Sequence, residues 1–296
     1  MTLLICLLFY VNIMQSGRGP LTRGCCMTEG RLSMVKRLLR LMTELSSHRW
    51  ISRIMGAFSH SRISRLLIPA FIRTYHIPAS QAEKDPSEYA TLNEFFSRRL
   101  KPGMRTITEE TDAVASPVDA MITAMGDISS GTILNVKGQD YKLEELLNHS
   151  PHQELYKKGF FFVLYLSPTD YHRIHSPVTG KMAESDYIRG RCYPVNEFGM
   201  RHMKGVLCRN ERLITYIAHR AGEIAVVKVG AMNVSSIRYS DESKRAWEIG
   251  EDLAYFEFGS TVVLLAENGI FIPRPGLEPG MKVKMGEMLG FLRPSG

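Results

Sequence analysis

The chain has 296 residues, enough for one large domain with its own buried core or for a domain with an appendage. Hydrophobic residues at 44% and charged residues at 23% are the balance of a folded globular protein and exclude disorder as the default state. A net charge of +7 favours an anionic partner, a membrane surface or a nucleic acid, while five cysteines with no C-x-x-C pair exclude a disulfide framework and fit a reducing compartment.

Residues 3–11 form an apolar run that Asn12 breaks. The run is too short to span a bilayer, and no basic segment precedes it as a secretory signal requires. Residues 1–33 are therefore expected to be an extension of little structural weight, with Met34 as the start of the body. Residues 34–78 interleave Lys36, Arg37, Arg40, Arg49, Arg53, Arg62, Arg65 and Arg73 with leucines and isoleucines at helical spacing, against the single acid Glu44. That pattern predicts basic amphipathic helices which rest on an anionic membrane surface; its plainer reading is a solvated basic face. A second helix is expected within 80–100, where TLNEFF at 91–96 offers Thr91 or Asn93 as its cap.

From residue 113 the texture changes to short β-rich runs between Gly, Pro, Asn and Asp: 121–125, 131–136, 160–166, 213–219, 224–229, 261–266 and 282–284. A short helix is expected at 143–147. The fold class that follows is α+β, with N-terminal helices ahead of a mostly antiparallel β-rich barrel or sandwich domain over 79–296. One echo stands inside it: SPVDA at 116–120 recurs as SPVTG at 176–180, which points to equivalent turns in a pseudo-symmetric β unit. The tail has a G-x-x-V-x-x-G cadence of the kind found in carrier-type barrel sandwiches.

The densest polar cluster is SPTDYHRIHSP at 167–177, just past a buried-strand pattern. His172 and His175 could do acid–base work, since imidazole titrates near neutral pH. They could also supply two zinc ligands, but a catalytic zinc takes three and no third is nearby in sequence. Asp119 alone would be a turn-capping carboxylate. Ser260 follows Gly259 at a junction that enters an apolar strand, where a strained backbone would let the hydroxyl attack the preceding carbonyl. Serine needs a base, and the base needs an orienting group; Asp119, His175 and Ser260 are those residue types, although only geometry can establish a triad.

Taken jointly and in order, several motifs closely resemble the phosphatidylserine decarboxylases. They are TLNEFFSRRL at 91–100, ASPVDA at 115–120, VKGQDYKLEELL at 136–147, FFFVLYLSPTDYHRIHSPVTG at 160–180, YPVN at 193–196, LCRNERL at 207–213, VKVGAMNVSSI at 227–237 and FEFGSTVVLL at 256–265. The resemblance runs from about residue 34 to residue 291. It implies a proenzyme cut between Gly259 and Ser260 by a triad that matches, motif by motif, Asp119, His175 and Ser260. The ester formed by Ser260 would undergo β-elimination, leaving a β chain up to Gly259 and an α chain of residues 260–296 that opens with a pyruvoyl group. That covalent pyruvate, derived from Ser260, would be the cofactor: a Schiff base with the substrate amine is the electron sink for loss of CO2, yielding phosphatidylethanolamine. His172 would position substrate or transfer a proton.

The expected partners are phosphatidylserine in an anionic membrane and the two chains of the same proenzyme. A homo-oligomer is compatible with the sequence; no nucleic acid and no metal are implied. The expected location is peripheral, on the cytoplasmic face of the cell membrane. Three departures from the family pattern, Ala120 and Ser235 for Gly and Phe258 for Leu, leave the chemical groups intact. Two other readings stand beside this one: a non-catalytic carrier-like β module, for which Lys181 is the nearest attachment lysine, and a zinc-dependent hydrolase using His172 and His175.

Overall fold

The computed structural model describes residues 56–129, 132–136, 139–195, 197–231, 236–257 and 260–293. The expected extension at 1–33, the first part of the basic helices and Gly259 lie outside the described residues. The chain enters through a 3-10 turn, Arg62–Leu67, and the helix α1, Ile68–Tyr75. Pro69 sits in its first turn, where a missing N–H costs nothing, and His76 ends it in the left-handed region. Ile68, Phe71 and Tyr75 fall on one face and are buried. The short helix α2, Leu92–Phe96, is capped by Thr91, whose Oγ1 accepts from the N–H of Glu94 at 3.1 Å. Of the two cap candidates, Thr91 is the one that has the extended backbone a cap requires. The side chains from Ile68 to Phe96 form a small apolar cluster of their own.

The β domain begins with β1 (Ala113–Ala115), β2 (Ala120–Asp127), β3 (Thr132–Val136) and β4 (Gln139–Lys142). Then come the helices α3 (Leu143–Leu146) and α4 (Gln153–Tyr156), followed by β5 (Phe160–Leu166), β6 (Arg173–His175) and β7 (Gly180–Ile188). Two further helices, α5 (Glu197–His202) and α6 (Val206–Arg209), lead into β8 (Arg212–His219), β9 (Gly222–Gly230), β10 (Ile237–Tyr239), β11 (Ala246–Trp247) and β12 (Asp252–Phe256). The chain ends in β13 (Ser260–Ala266), β14 (Phe271–Pro273), β15 (Lys282–Val283) and β16 (Met288–Leu292). The strand expected at 282–284 closes one residue early; the others expected from apolar runs are present, generally longer.

One eight-stranded antiparallel sheet, in the order β11-β7-β8-β9-β13-β5-β2-β15, carries the core. Its central strands β5, β9 and β13 are apolar almost throughout because both faces are covered, whereas β7, near an edge, carries Lys181, Glu184 and Asp186. Two three-stranded sheets, β1-β16-β14 and β6-β12-β10, accompany it. The arrangement is an open sandwich among the described residues, so of barrel and sandwich the structure takes the second.

The order reads alike from both edges. β11, β7, β8 and β9 on one side correspond to β15, β2, β5 and β13 on the other, and the two small sheets correspond likewise. The repeated SPV turns are the seams of this duplication. Ser116 and Ser176 each donate through Oγ to the carbonyl two residues on, Val118 and Val178, both at 2.7 Å. The backbones also cross-bond: the N–H of Ala115 donates to Pro177 O at 2.9 Å and that of His175 to Pro117 O at 2.8 Å. Gly286 N–H donates to Ser116 O at 2.9 Å and Gly250 N–H to Ser176 O at 2.8 Å. One copy, β6 to β12, is therefore inserted whole between β5 and β13 of the other. Where the inserted copy joins β8 to β9 by a tight turn, the outer copy is interrupted, and Ser260 opens the strand on the far side.

Candidate active site

Ser260 is the first residue of β13, paired with Leu166 of β5 and Gly230 of β9. Side chains alternate along a strand, so Ser260 and Val262 share a face with their partners Gly230 and Lys228. Lys228 lies 5.5 Å from the ring of Tyr239 on β10, which places the small sheet β6-β12-β10 over this face. Ser260 is fully buried and its Oγ has no hydrogen-bond partner. A buried hydroxyl left unpaired costs free energy and calls for an explanation.

His172 immediately precedes β6 and His175 is its last residue. His172 is fully buried under Phe96 of α2, with ring centroids 4.1 Å apart. Its Nδ1 lies 2.9 Å from the Asp170 carbonyl, an acceptor only, so Nδ1 carries the proton and Nε2 holds a lone pair. That Nε2 is also buried and unpartnered. Burial pushes the His172 pKa down to about 3, with Arg98 acting in the same direction. His175 is held in the same tautomer: Nδ1–H donates to Gly250 O at 2.7 Å, and Nε2 accepts from the Tyr171 hydroxyl at 3.1 Å. Burial lowers its pKa as well, opposed by the charges of Asp252 and, more weakly, Asp119.

Asp119 occupies the first SPV turn. Arg105 grips its carboxylate with both prongs of the guanidinium, Nε donating to Oδ1 at 2.8 Å and Nη2 to Oδ2. The N–H of Met285 also donates to Oδ1, at 2.9 Å. Thr179 does the matching job in the second turn, accepting at Oγ1 from Ile249 N–H at 3.1 Å. Asp119 thus holds its turn closed, as a short carboxylate after Pro is apt to do, and bears an arginine besides. His175 and Asp119 belong to neighbouring turns, joined by the His175 N–H to Pro117 O bond. No hydrogen bond links the side chains of Asp119, His175 and Ser260 directly: each of the first two has other partners, and Ser260 has none.

Sequence reasoning did not single out Tyr171, Arg105 or Arg98. Tyr171 lies inside the DYHRIH motif, and the two arginines lie close after the FF of α2, but nothing local marks what each would touch.

Known relatives place the chain in a class of decarboxylases made as proenzymes. A family model described as phosphatidylserine decarboxylase matches residues 92–291. A phosphatidylserine decarboxylase proenzyme of Geobacillus kaustophilus is 43% identical over 258 residues, covering 87% of this chain and 97% of the relative. One from Anoxybacillus flavithermus is 42% identical, covering 88% and 97%, and one from Brevibacillus brevis is 41% identical, covering 86% and 98%. The chain belongs to the phosphatidylserine decarboxylase family.

Proposed function

We propose that this chain converts phosphatidylserine into phosphatidylethanolamine and CO2, after cutting itself between Gly259 and Ser260. The observation that carries the reading is the Ser260 hydroxyl, buried and unpartnered at the head of β13. A nucleophile that must attack its own backbone cannot be tied up by other partners. In the first step His175 lets go of Tyr171, and its Nε2 lone pair takes the Ser260 proton. The Nδ1–H bond to Gly250 keeps that lone pair on Nε2. Ser260 Oγ bonds to the Gly259 carbonyl carbon and the peptide C–N bond breaks, giving an ester. A base then removes the Ser260 α-proton, the ester C–O bond breaks, and Gly259 leaves as the carboxylate end of the β chain. Water displaces the former Ser260 nitrogen as ammonia. Asp119 contributes its negative charge, which favours the imidazolium that forms on His175.

A pyruvoyl group at residue 260 fits these surroundings, because Gly230 opposite it has no side chain and the Ser260 hydroxyl it would replace has no hydrogen bond to lose. Such a group supplies an electrophilic carbonyl that captures the substrate amine and takes up the electrons released with CO2. His172, neutral and packed against the tilted ring of Phe96, helps exclude water and offers its lone pair to a substrate N–H.

Exposed Ile63 and Leu66, 69% and 79% accessible, stand beside exposed Arg62 and Arg65. Among the described residues no helix is long and apolar enough to cross a membrane. Apolar and basic side chains in this arrangement suit peripheral docking on the anionic cytoplasmic face of a cell membrane. Residues 34–78 would be the docking segment and 79–296 the catalytic domain, which the cut divides into a β chain up to 259 and an α chain from 260. Intact-mass measurement tests the reading: the purified protein should yield two chains, the smaller covering 260–296 and blocked by pyruvate, while Ser260→Ala should remain single. A wild-type chain that decarboxylates phosphatidylserine while uncut would overturn it.

A further inference from the structure

Arg98 is the anomaly among the arginines around the site. Arg105 is paired with Asp119, Arg173 with Asp252 and Arg220 with Asp112. Arg98 is only 3% exposed, yet among the described residues no carboxylate pairs with it. Its Nη1 donates to the Phe95 carbonyl at 3.3 Å, its guanidinium lies 5.0 Å from the Phe95 ring, and its Nε has no partner. Burial lowers even this guanidinium's affinity for its proton, and the more distant charge of Asp119 offsets that only in part. A buried cation with no ion-pair partner is costly, and an arriving anion would relieve that cost.

Arg98 also lines a cavity of about 430 Å³, with Arg105, Asp119, Asp170, Tyr171, Lys282 and Lys284 among its other walls, Asp119 being already paired with Arg105. Two of those walls lead to the reacting centre. The Asp170 carbonyl bonds His172 Nδ1, and the Tyr171 hydroxyl bonds His175 Nε2. The charge of Arg98 is felt at His172 itself. The copied half of the fold has a matching cavity beside Thr179, and there Arg220 is satisfied by Asp112.

We propose that the cavity is an anion subsite in which Arg98 binds the phosphodiester of the phospholipid substrate, Lys282 and Lys284 adding positive charge at its wall. This rests on the decarboxylase reading. The substrate headgroup carries two anions, and the chemistry separates them. A guanidinium fork on the carboxylate would stabilise the ground state of the group that must leave as CO2 and would slow the reaction. The phosphodiester keeps its charge from substrate to product, so binding it costs nothing in the transition state. A planar fork also matches two phosphate oxygens.

The test uses the full chain carrying Ser260→Ala, which can build no pyruvoyl group, so binding is read apart from catalysis. Calorimetric titration with glycerophosphoserine and glycerophosphoethanolamine should give binding that Arg98→Gln weakens at least about 10-fold for both ligands. Arg98→Lys, which keeps the charge and loses the fork, should fall between, and it decides the matter if Arg98→Gln does not fold. Equal affinity in the parent and these variants, or no binding of glycerophosphoethanolamine by the parent, overturns the proposal. Free L-serine and inorganic phosphate are the other arms. An Arg98-dependent site that takes L-serine but not glycerophosphoethanolamine is a carboxylate site, and one that takes only inorganic phosphate is a free-phosphate site; either result also overturns it. A wild-type chain that never cuts itself would instead defeat the processing reading and leave these titrations standing.

Discussion

His172 and His175 sit three residues apart, share one tautomer and differ in what faces Nε2: nothing for His172, the Tyr171 hydroxyl for His175. Two predictions belong to these side chains. A histidine with a folded pKa near 3 binds fewer protons than its unfolded counterpart at about 6.5, so stability is lost as pH falls through that interval. His172→Gln should therefore flatten the acid limb of a melting-temperature profile between about pH 6.5 and pH 4; an unchanged limb would mean the ring is not held neutral. Tyr171→Phe removes the hydroxyl that occupies His175 Nε2. Self-processing, followed by gel shift after synthesis, should be at least as fast as in the parent, whereas His175→Ala should nearly abolish it. A slow Tyr171→Phe protein would mean that the hydroxyl orients the base rather than occupying it.

At the scale of single elements, the helical layer matters because α2 lays Phe96 over His172 and passes straight on to Arg98. Its cap is a local device: Thr91→Ala should cost about 1 kcal/mol of unfolding free energy, measured by denaturant titration. The paired turns are held from outside by the segment before β1. Gly286 has φ +87°, and a Cβ there would lie 2.5 Å from the Thr106 carbonyl oxygen; Gly250 has φ +79° with Ile107 as close. Gly286→Ala should cost about 1–3 kcal/mol, because both the left-handed backbone and the contact resist it. Gly269, at φ +77° with open space around it, is the control that isolates the backbone contribution.

For the whole molecule, the duplication puts the proposed scissile junction at the boundary between the two copies. An inserted copy must leave the outer copy at one strand end and return at another, and Ser260 is the first residue after the return. The same packing buries a lysine in the core. Lys228 is fully buried between β8 and β13, its Nζ donating to Thr215 Oγ1 and, at 3.2 Å, to the Val226 carbonyl, with no carboxylate among its partners. Burial holds its pKa well below that of an exposed lysine. Between that lowered folded pKa and about 10.4 the unfolded chain binds the extra proton, so stability should rise with pH through that interval. Lys228→Met should raise the melting temperature at pH 7 and abolish that rise; a lower melting temperature at pH 7 would show that the amine's hydrogen bonds outweigh its desolvation. Membrane docking belongs to this scale too: Ile63→Ser with Leu66→Ser should reduce co-sedimentation with phosphatidylserine vesicles several-fold while leaving the melting temperature nearly unchanged, since both side chains are exposed.

Much of this was legible in the residues alone. Runs such as 160–166 and 262–266 are apolar at every position, and only a strand or helix buried on both sides tolerates that; their β-branched and aromatic content decides for a strand. The α+β class, the SPV echo and the family motifs that single out Asp119, His172, His175 and Ser260 are likewise local signals. Shorter strands such as β6, β10 and β14 carry too few residues to show a period, and they exist because larger neighbours hold them in place. Only the tertiary structure decided what each site residue touches. Asp119 meets Arg105 and Met285 from two distant segments, and His175 meets Gly250. Arg98 reads in sequence as one more basic residue after a helix, and it stands out only when the folded chain leaves it buried with no carboxylate paired to it among the described residues. Identity and strand character follow from short stretches of chain; charge compensation is a sum over everything nearby in space, and no single stretch contains it.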